Sequence, residues 1–154
     1  MAIESQPNLR YRHGAMAVLP TILLVEDNHD HLRLTRKVLE RSGLRAAICV
    51  ARDGKEALAM LEAMKDGRVP DLVLLDLNMP RVSGREVLHA MKSDAVLAEV
   101  PVVVISSSSR EEDSSLARAL GAAGFISKAG GFDQFSHELG ALKRFLPDEE
   151  KRDQ

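Results

Sequence analysis

Tryptophan is absent from this chain, and aromatic residues make up only 3% of its 154 positions. The core therefore has to be aliphatic, with Val, Ile and Leu strands under Ala, Leu and Met helices. There is a single cysteine, Cys49. That excludes an intramolecular disulfide and a cysteine metal site, and its place in an expected strand gives it the part of a small buried hydrophobe. No apolar run reaches membrane-spanning length. The mild run from Ala15 to Leu19 ends at Pro20 and lacks the basic-then-apolar layout of a secretory leader. The expected location is the cytoplasm, with no membrane partner. A formal net charge of -2 supplies no excess of positive charge for nucleic acid, so none is expected as a partner.

What is present is an alternation. The length allows one domain with a sizeable core. Residues 1–19 show no period and read as a flexible arm, residues 20–146 as the domain, and residues 147–154 as a short charged tail. Runs with almost no polar break occupy residues 21–25, 45–50, 72–75, 100–105 and 124–127. Such runs fit strands covered on both faces, as in parallel sheets. Between them lie apolar residues at helical spacing: Leu32, Leu34, Val38 and Leu39 before Gly43; Ala57, Leu58, Leu61 and Met64; Val87, Leu88 and Met91; a weak set of Leu116 and Leu120; and Phe132, Phe135, Leu139, Leu142 and Leu146. Asp53 with Glu56 and Ser83 with Glu86 have the spacing of a capping box. Asn28 or Asp27 can cap the first helix, Ser109 the fourth, and Gly43 suits a helix C-terminus. Five strands alternating with five helices imply an α/β fold, a doubly wound parallel sheet with helices on both faces.

The strands stop at functional-looking side chains. The first runs into Glu26 and Asp27, the third into Asp76, the fourth into Ser106 and the fifth into Lys128. In open α/β sheets chemistry gathers outside the carboxyl ends of the strands. Three carboxylates at one edge repel each other unless positive charge sits among them. Lys128 is one source, and a hard divalent cation such as Mg²⁺ is another. A carboxylate can act as a nucleophile towards phosphorus. Phosphoryl transfer mainly needs positioning and charge neutralisation, which Mg²⁺ on Asp27 and Asp76, the Lys128 ammonium and the Ser106 hydroxyl can supply. No glycine-rich phosphate loop follows the first strand, and no hydrolase elbow is present. Taken singly, each residue also has a plain structural part: Asp76 in a turn, Ser106 as a cap, Lys128 on a loop, Phe125 in the core. His13, His29, His31, His89 and His137 are scattered and read as surface residues.

Four segments in this order and spacing are specific as a set: Ile22-Leu23-Leu24-Val25-Glu26-Asp27-Asn28, Asp71 to Pro80, Pro101 to Ser106, and Gly124-Phe125-Ile126-Ser127-Lys128. Through them the chain resembles the receiver domain of bacterial two-component response regulators, over about residues 20–146. The resemblance implies a flavodoxin-like sheet of order 2-1-3-4-5. It implies Asp76 as phosphoacceptor, with Mg²⁺ on Asp27, Asp76 and the Asn78 carbonyl, and Glu26 acting mostly through water. Ser106 and Lys128 would contact the phosphoryl group, and Ser106 with Phe125 would form the switch. Such a chain is not an enzyme in the ordinary sense, but assists its own phosphorylation and dephosphorylation. A proline usually follows the lysine in this family; here Ala129, Gly130 and Gly131 do. That departure, with Gly84-Arg85-Glu86-Val87-Leu88 and Lys92-Ser93-Asp94, is similar to single-domain regulators paired with phytochrome-type histidine kinases. Implied partners are a sensor histidine kinase, an unknown downstream protein and a second copy of the chain, meeting through the face of the fourth helix, fifth strand and last helix. No output domain is expected after residue 146, so the effect would pass through another protein. Two other readings stand beside this one. A pseudo-receiver scaffold that takes no phosphate is disfavoured by the intact acidic residues and lysine. A flavin-binding electron carrier on the same fold is disfavoured by the lack of aromatics.

Overall fold

A computed structural model of the chain describes residues 9–12, 15–77, 79, 82–107 and 111–147. Its first two strands, β1 (Leu9–Arg12) and β2 (Ala15–Val18), pair antiparallel, with Leu9 opposite Val18 and Arg12 opposite Ala15. This ribbon lies in the stretch whose sequence reads as a flexible arm. Strands of 4 residues are too short to display a period, and a lone two-stranded ribbon is marginal by itself, so little in the sequence marks it.

The remaining strands are β3 (Thr21–Val25), β4 (Ala47–Ala51), β5 (Leu72–Asp76), β6 (Val102–Ser106) and β7 (Gly124–Ser127). They form one parallel sheet of order β4-β3-β5-β6-β7, which is the 2-1-3-4-5 order of the flavodoxin-like fold. Each strand is apolar on both sides. Leu23, Val25, Val73, Leu75, Val102 and Val104 pack in one core cluster, and their alternates Ile22, Leu24, Leu72, Leu74, Val103 and Ile105 in the other. The helices supply the two covers. Helices α2 (Gly54–Met64), α3 (Gly84–Lys92) and α4 (Glu111–Ala119) bury Leu61, Val87, Leu88, Met91 and Ala117 on the first side. Helices α1 (His29–Arg41) and α5 (Phe132–Gly140) bury Leu32, Val38, Leu39, Phe135 and Leu139 on the second. Cys49 is buried in the first cluster, as its strand position requires.

The caps follow the residues that can form them. Asn28 Oδ1 accepts from the His31 N–H at 3.0 Å, Asp53 Oδ1 from the Glu56 N–H at 2.7 Å, and Ser83 Oγ from the Glu86 N–H at 3.3 Å. The Glu56 carboxylate reaches back one residue further than the usual box, to the Arg52 N–H at 3.4 Å. Gly43 ends α1 with a φ of 84°, a conformation open to glycine. The expected cap Ser109 lies outside the described residues.

Two apolar residues of the expected stripes face solvent: Leu34 is 40% and Phe132 58% exposed. Leu34 sits about 200° around the helix from Leu32, so Thr35 takes the buried place instead. Phe132 is the first residue of α5, before the helix closes onto the sheet. The fourth strand of the sheet starts at Val102, two residues later than its apolar run, because Leu97–Glu99 forms a 3₁₀ turn and Pro101 cannot donate. It therefore runs through Ser106, which belongs to the strand itself. The last helix tightens into a 3₁₀ segment over Ala141–Phe145, carrying the buried Leu142.

Outside the sheet, Asp94 ties the end of α2 to the turn after α3. Its Oδ2 accepts from Lys65 Nζ at 2.6 Å, and its Oδ1 from the N–H groups of Val96 at 2.8 Å and Leu97 at 3.0 Å. The Lys65 hydrogen bond, aided by the two backbone donors, lowers the Asp94 carboxyl from the ordinary 3.8 to about 2. Because the folded-state value is the lower one, the stabilisation is present above 3.8 and is lost as the pH falls through 2. Asp94→Asn is expected to lower the thermal midpoint at neutral pH. The gap to the unsubstituted protein should close across that acidic window, and a gap that persists unchanged would rule out the ion pair as its source.

Candidate functional site

The carboxyl edge of the sheet brings Glu26, Asp27, Asp76, Ser106 and Lys128 together. The direction in which strands are added to the sheet reverses between β3 and β5: β4 lies outward on one side, and β5 to β7 follow on the other. This switch point is where helices part and leave the strand ends accessible. Glu26 follows β3 directly, and its N–H still donates to the Ala51 carbonyl at 3.0 Å, so the ladder fixes its backbone. Its side chain is 3% exposed. Oε1 accepts from Lys128 Nζ at 2.5 Å, and Oε2 accepts from the Asn28 N–H at 3.4 Å. Asp27 is exposed, and Asp76 ends β5 half-buried. Oxygens of Glu26, Asp27 and Asp76 all lie within 4.8 Å of one another.

Asp76 owes its place to two neighbours. Across the sheet it pairs with Ile105, next to the buried Ser106. Behind it, Gly84 opens α3 with its N–H on the Leu77 carbonyl at 3.2 Å. A methyl group on Gly84 would fall 2.1 Å from the Asp76 carbonyl oxygen and 2.5 Å from Leu77 Cα. The helix start thus rests directly on the loop that carries the carboxylate.

Lys128 follows β7 and is 11% exposed. The chain after it is a 3₁₀ turn, Lys128–Gly130, in which Ser127 Oγ accepts from the Ala129 N–H at 3.1 Å. No peptide bond among the described residues is cis. The turn closes at Gly131, whose φ of 94° suits glycine. Ala129 and the glycines therefore replace the family's proline with a trans, tightly wound turn.

The register opposes Ser106 to Ser127 and Val104 to Phe125. Ser106 and Phe125 accordingly sit on the same side of the sheet, one pair apart. Phe125 is partly buried against the core cluster under α4. Asn78, whose carbonyl the resemblance assigns to the metal, lies outside the described residues.

His31 reads from sequence as a surface residue, and here the structure differs. Its Nδ1 lies 3.0 Å from Lys128 Nζ and 3.8 Å from Glu26 Oε1. The signal was present: Asn28 is the cap, so His31 is the third residue of the first turn, the turn that follows the acidic pair.

The sequence pattern described as the response regulator receiver domain matches residues 22–139. The chain belongs to that family. The receiver domain is 41% identical to the response regulator Rcp1 of a Synechocystis strain over 95 residues, 60% of this chain and 65% of Rcp1. The Mn²⁺-bound form of Rcp1 superposes with a TM-score of 0.71 at 32% identity, covering 84% of this chain and 99% of that one. A phosphorylated cyanobacterial phytochrome response regulator, RcpA, gives 0.73 at 36% identity, with 84% and 99% covered. The bacteriophytochrome response regulator AtBRR gives 0.67 at 40% identity, with 80% and 94% covered. Two of these structures, RcpA and AtBRR, are phytochrome response regulators by name, the subgroup that the Lys128 turn and the α3 sequence resemble.

The receiver site suits a divalent cation, because it offers three clustered hard oxygen donors. Both oxygens of Glu26 are already engaged by Lys128 and Asn28. Asp27 and Asp76 could hold such a cation directly, with Glu26 reaching it through water. Because α3 rests on the Asp76 loop, Gly84→Ala should cost about 1–3 kcal/mol in chemical denaturation. It should also reduce acceptance of phosphoryl groups at Asp76. An unchanged unfolding midpoint would show that the contact at Gly84 is not tight.

Proposed function

We propose that this receiver domain takes a phosphoryl group onto Asp76 from a sensor histidine kinase of the phytochrome type, and signals in the cytoplasm by phosphorylation-dependent contact with other proteins. One observation carries the reading: the Asp76 carboxylate shares a pocket with Glu26 and Asp27, within 4.8 Å, at the edge that also holds Lys128 and Ser106. The phytochrome names of RcpA and AtBRR, to which this chain is similar, support the choice of kinase.

In the reaction an Asp76 carboxylate oxygen forms a bond to phosphorus. The bond from phosphorus to the kinase's histidine nitrogen breaks, and the nitrogen keeps the electron pair. Nucleophile and phosphoryl group are both negative, so approach depends on positive charge. Asp27 and Asp76 would hold Mg²⁺, which would supply neutralising positive charge. The chain's own parts are distinct. The α3 contact at Gly84 fixes the nucleophile, Lys128 brings a second cation, and the Ser106 hydroxyl donates to a phosphoryl oxygen. In dephosphorylation the oxygen of a water forms a bond to phosphorus, the bond from phosphorus to the Asp76 oxygen breaks, and inorganic phosphate leaves with the water's proton while the Asp76 carboxylate is regenerated.

The signal leaves by way of β6 and β7. A phosphoryl group brings to Asp76 acceptor oxygens and about two negative charges. Ser106 moves towards them, and Phe125, on the same side of the sheet, follows into the space beside β7. That surface, with α4 and α5, meets a second copy of the chain. The half-buried Leu116 of α4 and Leu120 just after it, beside a helix that fully buries only Ala117 among its described residues, support this face.

Acetyl phosphate with Mg²⁺ should label Asp76, and chelation should prevent it. Asp76→Asn should abolish labelling; full labelling of that variant at another residue, or failure of the unsubstituted protein to label, would overturn the reading in favour of a scaffold that takes no phosphate.

Ser106→Ala separates reception from output. It should keep labelling within a fewfold but lose the phosphorylation-dependent rise in dimer mass by light scattering. Coupling of this kind is typically worth about 1–3 kcal/mol, a factor of ten or more in affinity. A full phosphorylation-dependent shift in Ser106→Ala would mean that the signal leaves Asp76 by another route.

A further inference from the structure

Lys128 has more than one partner. Its ammonium carries three donor protons and no acceptor. One bond goes to Glu26 Oε1 at 2.5 Å, and a second polar atom, His31 Nδ1, lies at 3.0 Å. An ammonium can only donate, so Nδ1 has to be the acceptor and the imidazole proton has to sit on Nε2. The ring's origin is fixed as well, because the His31 N–H is held by Asn28 Oδ1 at 3.0 Å. Glu26 at the end of β3 and His31 in the first turn of α1 therefore grip the ammonium from two directions. The ammonium has a third N–H besides these two.

We propose that His31 is a positioning residue for phosphoryl transfer: by accepting one N–H of Lys128 it fixes the direction in which that ammonium meets the phosphoryl group on Asp76. The inference rests on the reading of Asp76 as phosphoacceptor. It adds an element which that reading does not need, namely that the lysine is oriented by an imidazole on α1. Glu26 alone would leave the ammonium free to turn about one bond. Two acceptors at fixed places remove that rotation before the donor arrives, and such pre-orientation is of most use in the transition state. The His31 side chain is 40% exposed, so water competes for the bond. The expected effect is correspondingly moderate, about tenfold in rate.

Two measurements test this. Long-range ¹H–¹⁵N spectra of the full chain, at a pH above the ordinary imidazole range, should show His31 as the Nε2–H tautomer; an Nδ1–H tautomer would overturn the proposal. This readout needs no phosphorylation, so it stands or falls apart from the role of Asp76. Labelling by acetyl phosphate with Mg²⁺ is then compared among the unsubstituted protein, His31→Leu and His31→Gln. Leu keeps the bulk without an acceptor, and Gln offers an amide oxygen to Lys128. His31→Leu should lower the maximal rate about tenfold with little change in the half-saturating donor concentration, while His31→Gln recovers most of it. Equal loss in both variants would point to a packing role, and no loss in His31→Leu would dismiss any role in positioning. If the unsubstituted protein takes no label, the assignment of Asp76 fails instead, whatever the tautomer.

Discussion

Glu26 is 3% exposed, and a carboxylate so far out of water is tolerated only beside a positive partner. The Lys128 ammonium at 2.5 Å is that partner. The two residues come from opposite sides of the chain's reversal, one after β3 and the other after β7. Their pairing therefore requires β5 and β6 to lie between them in register. Removing Lys128 would leave a buried unpaired charge, a loss of about 3–5 kcal/mol in comparable cases. A lysine expected to serve chemistry is thus a structural keystone too. Substituting it confounds the two roles, so residues around it give cleaner information.

The apolar sheet explains why the charges are gathered there. Every strand of the five-stranded sheet is covered on both faces, so no polar side chain has a place along its length. Polar residues are admitted only where the strands end and the helices part. Gly84 then sets how closely α3 approaches the end of β5. The nucleophile's position is in this sense a backbone property, fixed by a missing side chain.

Much of this was legible in the sequence, for reasons that can be named. Buried parallel strands lack the polar alternation that makes other strands ambiguous, so Thr21–Val25 and Gly124–Ser127 match their apolar runs to the residue. Asp53 and Ser83 cap as their spacing indicates, because capping is local. What escaped was non-local or too short. His31 meets Lys128 across 97 positions of sequence, and no period marks such a meeting. The ribbon of β1 and β2 has strands too short for a pattern. Leu34 is apolar and belongs to no face, which hydrophobicity without phase does not reveal.

Charge accounts for the form of the switch. Three carboxylates against one ammonium leave the site two charges negative, 3 − 1 = 2, the amount that one divalent cation offsets. Converting the Asp76 carboxylate to an acyl phosphate exchanges one negative charge for about two. The excess has to be met by donors that bring no anion of their own. Ser106 is a neutral side chain of this kind, 1% exposed and one residue past the partner of Asp76. Its strand is hydrogen-bonded to β7, where Ser127 lies opposite and Lys128 follows. In the proposed switch, the demand for one more donor at Asp76 would reach this edge strand, whose next residue is the cationic Lys128.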